Sequence, residues 1–186
     1  SYDKTIAIQN NEIFLDNIKK QVVFVWRSNV WKSSLMNAIF GTKDLVKTSS
    51  KPGKTRQANL FLVNNKFHFV DLPGYWFAKV SQEQKQVFDN LISWYLEEFK
   101  FYIKKLVIVL DSKIGPTQTD IDMFNFIQSF QIPVVFALNK IDKLGNNDAN
   151  LSKAHFENLF FGQQAFMTST TKKIWIRELS IELFYS

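Results

Sequence analysis

The stretch that most constrains this chain runs from residue 22 to residue 40. A short apolar run of strand type, Val22-Val23-Phe24-Val25, leads into Trp26-Arg27-Ser28-Asn29-Val30-Trp31-Lys32-Ser33-Ser34, and from Lys32 onward the pattern is helical, with apolar residues at 35, 36, 39 and 40. A buried strand joined to a helix by a loop ending in Lys-Ser is the layout of a phosphate-binding loop, G-x-x-x-x-G-K-[ST]. There the backbone N–H groups and the helix N-terminus surround phosphates, Lys32 would reach the β- and γ-phosphates, and the Ser33 hydroxyl would bind Mg²⁺. Both glycines of the pattern are replaced by tryptophan, Trp26 and Trp31. Glycine serves such a loop because the backbone takes positive φ and lies against the nucleotide with no Cβ in the way. An indole at 26 or 31 meets both obstacles. On this segment alone, an ordinary strand-turn-helix with a chance Lys-Ser competes with the phosphate loop.

Further segments fall where a guanine-nucleotide cycle needs them. Asp71-Leu72-Pro73-Gly74 ends an apolar run, Phe67-His68-Phe69-Val70. An aspartate there can hold Mg²⁺ through water, and the Gly74 N–H can meet the γ-phosphate. Asn139-Lys140-Ile141-Asp142 closes a second buried run, residues 134–138. The Asp142 carboxylate can accept both N–H donors of the guanine edge, which adenine does not offer, so it would set base choice. Asn139 would brace the loop, and the Lys140 stem would pack along the base. Thr168, Ser169 and Thr170, after Ala165-Phe166-Met167, sit where backbone N–H groups can meet the guanine O6; Ser-Thr alone is more often just a turn.

The wording of these segments resembles the EngB (YsxC/YihA) ribosome-biogenesis GTP-binding proteins, a branch of the P-loop GTPases. The resemblance runs from about Val22 to the C-terminus. Its most specific parts are Arg27-Ser28-Asn29-Val30 with Lys32-Ser33-Ser34, Thr48-Ser49-Ser50-Lys51-Pro52-Gly53-Lys54-Thr55, Asp71-Leu72-Pro73-Gly74-Tyr75 with Ala78-Lys79-Val80, and Gly115-Pro116-Thr117 with Asp120. The resemblance implies that Gly53, Lys54 and Thr55 lie in switch I and that Thr55 completes the Mg²⁺ shell beside Ser33 and Asp71. Lys32, Thr55 and Gly74 are then the catalytic set. It also implies GTP and GDP as ligands, the precursor of the large ribosomal subunit and its rRNA as partner, and a role in division septation. The family often has threonine where this chain has Asn139.

Set against the family pattern, four of the five tryptophans stand on glycines: Trp26, Trp31, Trp76 and Trp175. Independent mutation would not choose that set. Some bacteria read UGA as glycine, and the common alternative tables read it as tryptophan, so the hypothesis is a mistranslated codon with glycine at these four positions in the living protein. Nineteen phenylalanines beside many Lys, Asn and Ile suggest AT-rich coding, in keeping with a reassigned stop codon. Trp94 falls in a helical stretch where the family does not demand glycine and reads as a real tryptophan. The rival reading is a degenerate GTPase whose pocket is filled by aromatic side chains, acting as a nucleotide-free RNA- or protein-binding module. Decay of that kind should also have eroded Lys32, Ser33, Asp71, Asn139 and Asp142, and all five survive.

At 186 residues the chain is sized for one domain, 1–186, with 1–21 as a leader packed on the sheet. No run approaches the ~20 apolar residues that cross a membrane, and no cleavable apolar segment is read at the beginning. The expectation is a soluble, cytoplasmic monomer. With no cysteine, disulfides and thiolate metal sites are excluded. Strand-like runs near 22–25, 58–63, 66–70, 106–110, 134–138 and 165–167 alternate with helical ones from 32, 82–99, 119–130, 150–160 and 176–184. The predicted fold is α/β, a three-layer Ras-like P-loop GTPase with a mostly parallel six-stranded sheet. Asn64-Asn65 marks a hairpin, giving the one antiparallel edge, and each motif lies at a strand's carboxyl end, where such sheets bind ligands.

Many GTPases orient the attacking water with a glutamine just past D-x-x-G, and this chain has Tyr75 there. Slow intrinsic hydrolysis is therefore expected, with K⁺ bound through Asn29 as one source of the missing charge. Switch I (45–57) and switch II (74–81) should order around GTP and loosen after hydrolysis. A net charge of +6 suggests a polyanionic partner. Lys43, Lys47, Lys51, Lys54 and Arg56 gather at switch I, and Lys172, Lys173 and Arg177 near the C-terminus. A merely solvated lysine-rich surface would look the same. His68 and His155 read as packing or surface residues, and the aromatic stretch 156–161 as core.

Overall fold

The computed structural model describes residues 18–27, 32–42, 58–75, 81–160 and 162–185, and the backbone of 2–8. Its elements are β1 (Tyr2–Ile8), β2 (Lys20–Trp26), α1 (Lys32–Phe40), β3 (Ala58–Val63), β4 (Phe67–Asp71), α2 (Gln82–Phe99), β5 (Ile103–Asp111), α3 (Gln118–Gln128), β6 (Val134–Asn139), α4 (Asn146–Leu159), β7 (Ala165–Met167) and α5 (Ile176–Tyr185). One sheet contains all the strands in the order β1-β3-β4-β2-β5-β6-β7. From β4 to β7 every pairing is parallel, and β3 runs antiparallel to β4.

Six strands match the expected sheet. The seventh changes the edge: β1 pairs antiparallel with β3, from Ile8 opposite Ala58 to Tyr2 opposite Val63, so β3 lies inside the sheet. The residues read as a leader packed on the sheet thus extend it sideways, and β2 already begins within them, at Lys20. The Asn64-Asn65 hairpin forms as expected. Both residues have φ of 51°, the left-handed conformation that a two-residue β-turn of the primed type demands and that asparagine tolerates.

The central strands are continuously apolar along their buried stretches, residues 22–26, 106–110 and 134–138, because helices cover both faces. Along β2, Val22, Phe24 and Trp26 pack with Leu35 and Met36 of α1 and Leu179 and Leu183 of α5. Val23 and Val25 point the other way, to Ile92, Tyr95 and Leu96 of α2, Phe124 of α3 and Phe156 of α4. Phe136, Phe156 and Phe160 pack edge-on or tilted with centroids 4.5–4.8 Å apart, so the described phenylalanines of the aromatic stretch, Phe156 and Phe160, are core. His68 is buried in β4, and burial together with nearby Lys19 lowers its pKa, which keeps it neutral.

Trp94 and Trp175 lie in different surroundings. Trp94 lies on α2, partly buried, with its ring edge-on to Tyr95 and Phe99 at 6.2 and 6.1 Å. Trp175 is 53% exposed, and its backbone is left-handed, with φ of 52°. That conformation costs a residue with a Cβ about 1–2 kcal/mol. Trp175→Gly should therefore raise the melting temperature by about 2–4 °C, the shift that about 1 kcal/mol produces in a chain of this size. A calorimetric scan showing a lower value would mean that the indole makes a stabilising contact.

Candidate functional site

The phosphate side lies where β2 ends between β4 and β5, the point at which the connections diverge to opposite edges of the sheet. Lys32 is the first residue of α1, so the strand-loop-helix layout is present. Its amine forms a buried ion pair with Asp71, the last residue of β4, which lies in register with Phe24 of β2. Burial lowers the Lys32 pKa and raises that of Asp71, and their mutual attraction opposes both shifts. Ser33 and Ser34 follow in the first turn of α1, half-buried. Asp71 Oδ1 is buried and has no hydrogen-bond partner among the described residues. An unsatisfied buried carboxylate oxygen suits a hard cation that completes its shell with phosphate oxygens and water.

Trp26 departs from one expectation. It ends β2 in register with Val109 of β5, and it is absent from the described residues with positive φ, so glycine is not required there for its backbone conformation. Only the second obstacle applies. Its ring centroid lies 3.6 Å from Lys32 Nζ, with the side chain filling the space between strand and amine. Ser28, Asn29, Val30 and Trp31 lie outside the described residues, as do Gly53, Lys54, Thr55 and Trp76.

Beyond β4 the chain stays pinned to β2. Leu72 N–H donates to the Phe24 carbonyl at 3.2 Å and Tyr75 N–H to the Trp26 carbonyl at 3.1 Å, and Leu72, Pro73, Gly74 and Tyr75 are all buried. The Tyr75 hydroxyl donates to Asp120 Oδ1 at 2.7 Å. Burial and that carboxylate push its pKa well above the ordinary tyrosine value. Committed to Asp120, the hydroxyl is not free to orient a water, in keeping with the loss of the usual glutamine.

The base side forms at the ends of β6 and β7. Asn139 is fully buried and closes β6, while Lys140 turns the chain with φ of 69° into a single 3-10 turn, Ile141–Lys143, that carries Asp142. Thr168 N–H donates to the Leu138 carbonyl at 2.8 Å, and Ile141 N–H to the Thr168 carbonyl at 3.2 Å. Thr168 Oγ1 sits 3.5 Å from Asn139 Oδ1, which places the asparagine as a brace between the two loops. The Ser169 hydroxyl donates to Asp142 Oδ1 at 2.6 Å and holds that carboxyl below the usual aspartate range. Thr170 follows, half-buried.

Sequence reasoning missed Asp111. This residue ends β5 and holds the Lys140 amine at 2.6 Å while accepting from the Lys113 N–H at 2.9 Å. An aspartate one residue beyond the apolar strand run 106–110 gives no sign of that partner, which lies 29 residues away. Among the described residues no three His, Asp or Glu side chains gather to hold a metal, and no helix is long and apolar enough to cross a membrane.

A family model described as 50S ribosome-binding GTPase matches residues 21–140. The chain is 41% identical over 144 residues to the "Probable GTP-binding protein EngB" of Lactobacillus helveticus, covering 77% of this chain and 72% of that one. It is 38% identical over 181 residues to the protein of the same name from Clostridium botulinum strain Eklund 17B, covering 96% and 90%. A crystal structure of a probable GTP-binding protein engB superposes with a TM-score of 0.75 at 24% identity, over 88% of this chain and 96% of that one, which speaks for the fold.

Proposed function

Since the chain belongs to the EngB family of GTP-binding proteins, among the 50S ribosome-binding GTPases, we propose that it is a slow, GTP-driven switch that acts in assembly of the large ribosomal subunit. The observation that carries this reading is the convergence of Lys32, Asp71 and the Asp142–Ser169 pair on one rim of the sheet. Lys32 would leave Asp71 for the β- and γ-phosphates, and Gly74 N–H would meet the γ-phosphate. Asp142 would take the guanine edge, with the Ser169 and Thr170 N–H groups on O6. Ser33, Thr55 and Asp71 would hold Mg²⁺, which offsets charge on the phosphates. Asn29 would place K⁺ beside them. Tyr75 supplies no water-orienting group, so turnover is slow alone and quickens in KCl over NaCl.

Lys172, Lys173 and Arg177 are exposed beside the base site and suit an rRNA backbone. The reading includes a cytoplasmic monomer formed as one domain and the family's link to septation. Sedimentation with precursor large subunits tests it: the chain bearing glycine at 26, 31, 76 and 175 should pellet with them in GTP and remain in the supernatant in GDP. Equal pelleting in both nucleotides would remove the switch. One observation favours the second reading, a degenerate GTPase that binds RNA or protein without nucleotide: the Trp26 ring lies against the phosphate-binding lysine. The codons decide between them, because UGA at positions 26, 31, 76 and 175, in a genome that reads it as glycine, makes these residues glycine, and UGG makes them tryptophan.

A further inference from the structure

Asp120 is fully buried on the first turn of α3, yet none of the nucleotide-binding roles uses it. Its carboxylate is saturated. Oδ2 accepts from Arg27 Nη1 at 2.9 Å, from the Thr117 N–H at 2.7 Å and from the Thr117 hydroxyl at 2.7 Å, and Oδ1 accepts from the Tyr75 hydroxyl at 2.7 Å. Arg27 Nη1 also donates to Thr117 Oγ1 at 2.8 Å. Helix capping needs only Thr117 and Asp120. The arginine and the tyrosine come from elsewhere: one immediately follows β2 where the phosphate loop begins, the other immediately follows Gly74.

Resting on the GTP-switch reading above, we propose that Asp120 is a positioning residue that strengthens GTP binding relative to GDP binding. Tyr75 is held twice, by its backbone N–H on the Trp26 carbonyl and by its hydroxyl on Asp120, and these two anchors hold the residue after Gly74 against the end of β2, which restricts the adjoining Pro73–Gly74 peptide that carries the Gly74 N–H. Gly74 N–H meets a group that GTP has and GDP lacks. With the anchor in place, that donor is aimed before the nucleotide arrives; without it, GTP binding must order the peptide, while GDP binding is unaffected. Arg27 bonds the same carboxylate, so a single charge ties the residue after β2 to the residue after Gly74.

The test uses the chain bearing W26G, W31G, W76G and W175G, with Tyr75→Phe and Asp120→Asn as variants and Asp122→Asn, whose side chain accepts from Gln118 on the exposed face of α3, as control. Fluorescent GTP and GDP analogues with Mg²⁺ should show the GTP-to-GDP affinity ratio falling about tenfold in both variants, the loss expected of one charge-assisted hydrogen bond, and unchanged in the control. An unchanged ratio, or equal weakening of both nucleotides, overturns the proposal and leaves Asp120 a capping residue. Amide exchange at Tyr75 in the nucleotide-free chain is the independent readout. Faster exchange in Tyr75→Phe at an unchanged melting temperature supports the clamp, and unaltered exchange overturns it. Should the parent bind neither nucleotide, the GTP-switch reading fails by itself, and the exchange result still judges the clamp.

Discussion

Replacing Trp26 and Trp31 together by glycine is expected to convert a chain that binds GTP and GDP barely or not at all into one that binds both at least ~100-fold more tightly, about 2.8 kcal/mol. The Trp26 ring occupies the space under Lys32 Nζ, and the amine it faces is the group that must reach the phosphates. An indole presents roughly 150–250 Å² of contact area, which the phosphates need for themselves. Removal also has a cost, because Trp26 packs with Phe24, Leu35 and Val109 and is only 7% exposed. Truncating a buried tryptophan costs about 3–5 kcal/mol. The glycine chain should therefore melt lower than its parent without nucleotide and recover with GDP and Mg²⁺, since ligand at a hundredfold excess over its Kd returns about 2.7 kcal/mol. The tryptophan chain should melt at one temperature whether GDP is present or not. Scanning fluorimetry of both chains reads all of this. Comparable GDP stabilisation of the two would sink the claim that tryptophan closes the site, and no response from the glycine chain would sink the nucleotide-switch reading.

The elements legible in the sequence were those whose cause is local. The apolar runs of β2, β5 and β6 are buried on both faces and so read as strands from composition, and α2 carries its apolar stripe through Phe88, Ile92, Tyr95, Leu96 and Phe99. Asn64-Asn65 declares its turn because few other residues tolerate two left-handed conformations in succession. The edge position of β1 was not legible, because its partner β3 begins 50 residues beyond its last residue, and a strand at an edge is chosen by main-chain pairing that leaves little trace in side-chain type. The motif residues could be placed from spacing, but their tethers could not. Arg27 meets Asp120 across 93 residues of chain and Lys140 meets Asp111 across 29. The Thr117-x-x-Asp120 spacing signals a capping box, which explains the aspartate locally and so conceals the arginine and tyrosine that share it. At Trp26 the motif argument assumed a glycine-only backbone, whereas the strand carries ordinary geometry through that residue and only the volume of the side chain stands in the way.

Changing Asp142 to asparagine in the glycine-bearing chain should weaken guanine nucleotides by about 100- to 1,000-fold, because a site built to hydrogen-bond a substrate's donors rejects what it cannot pair. Guanine presents two N–H donors on the edge that Asp142 would face, and a carboxylate accepts both. An amide accepts one and sets its own N–H against the other. Xanthine carries a carbonyl where guanine carries the amino group, so the same variant should gain xanthine nucleotides as it loses guanine ones. The protonation state follows from the Ser169 hydroxyl, 2.6 Å from Asp142 Oδ1, which holds the carboxyl below the ordinary aspartate value of about 3.9. A depressed pKa means that the ionised form contributes fully above the ordinary value and is lost only as pH falls through the depressed one. Guanine affinity should therefore stay level from pH 8 down to about 5, and Ser169→Ala, by removing the hydrogen bond that lowers the pKa, should move the acid-side loss to higher pH. Competition titrations with GDP and the xanthosine diphosphate analogue across that range read both effects. If Asp142→Asn bound GDP as tightly as its parent, the 3-10 turn would be structural, and base choice would have to come from the Ser169–Thr170 loop alone.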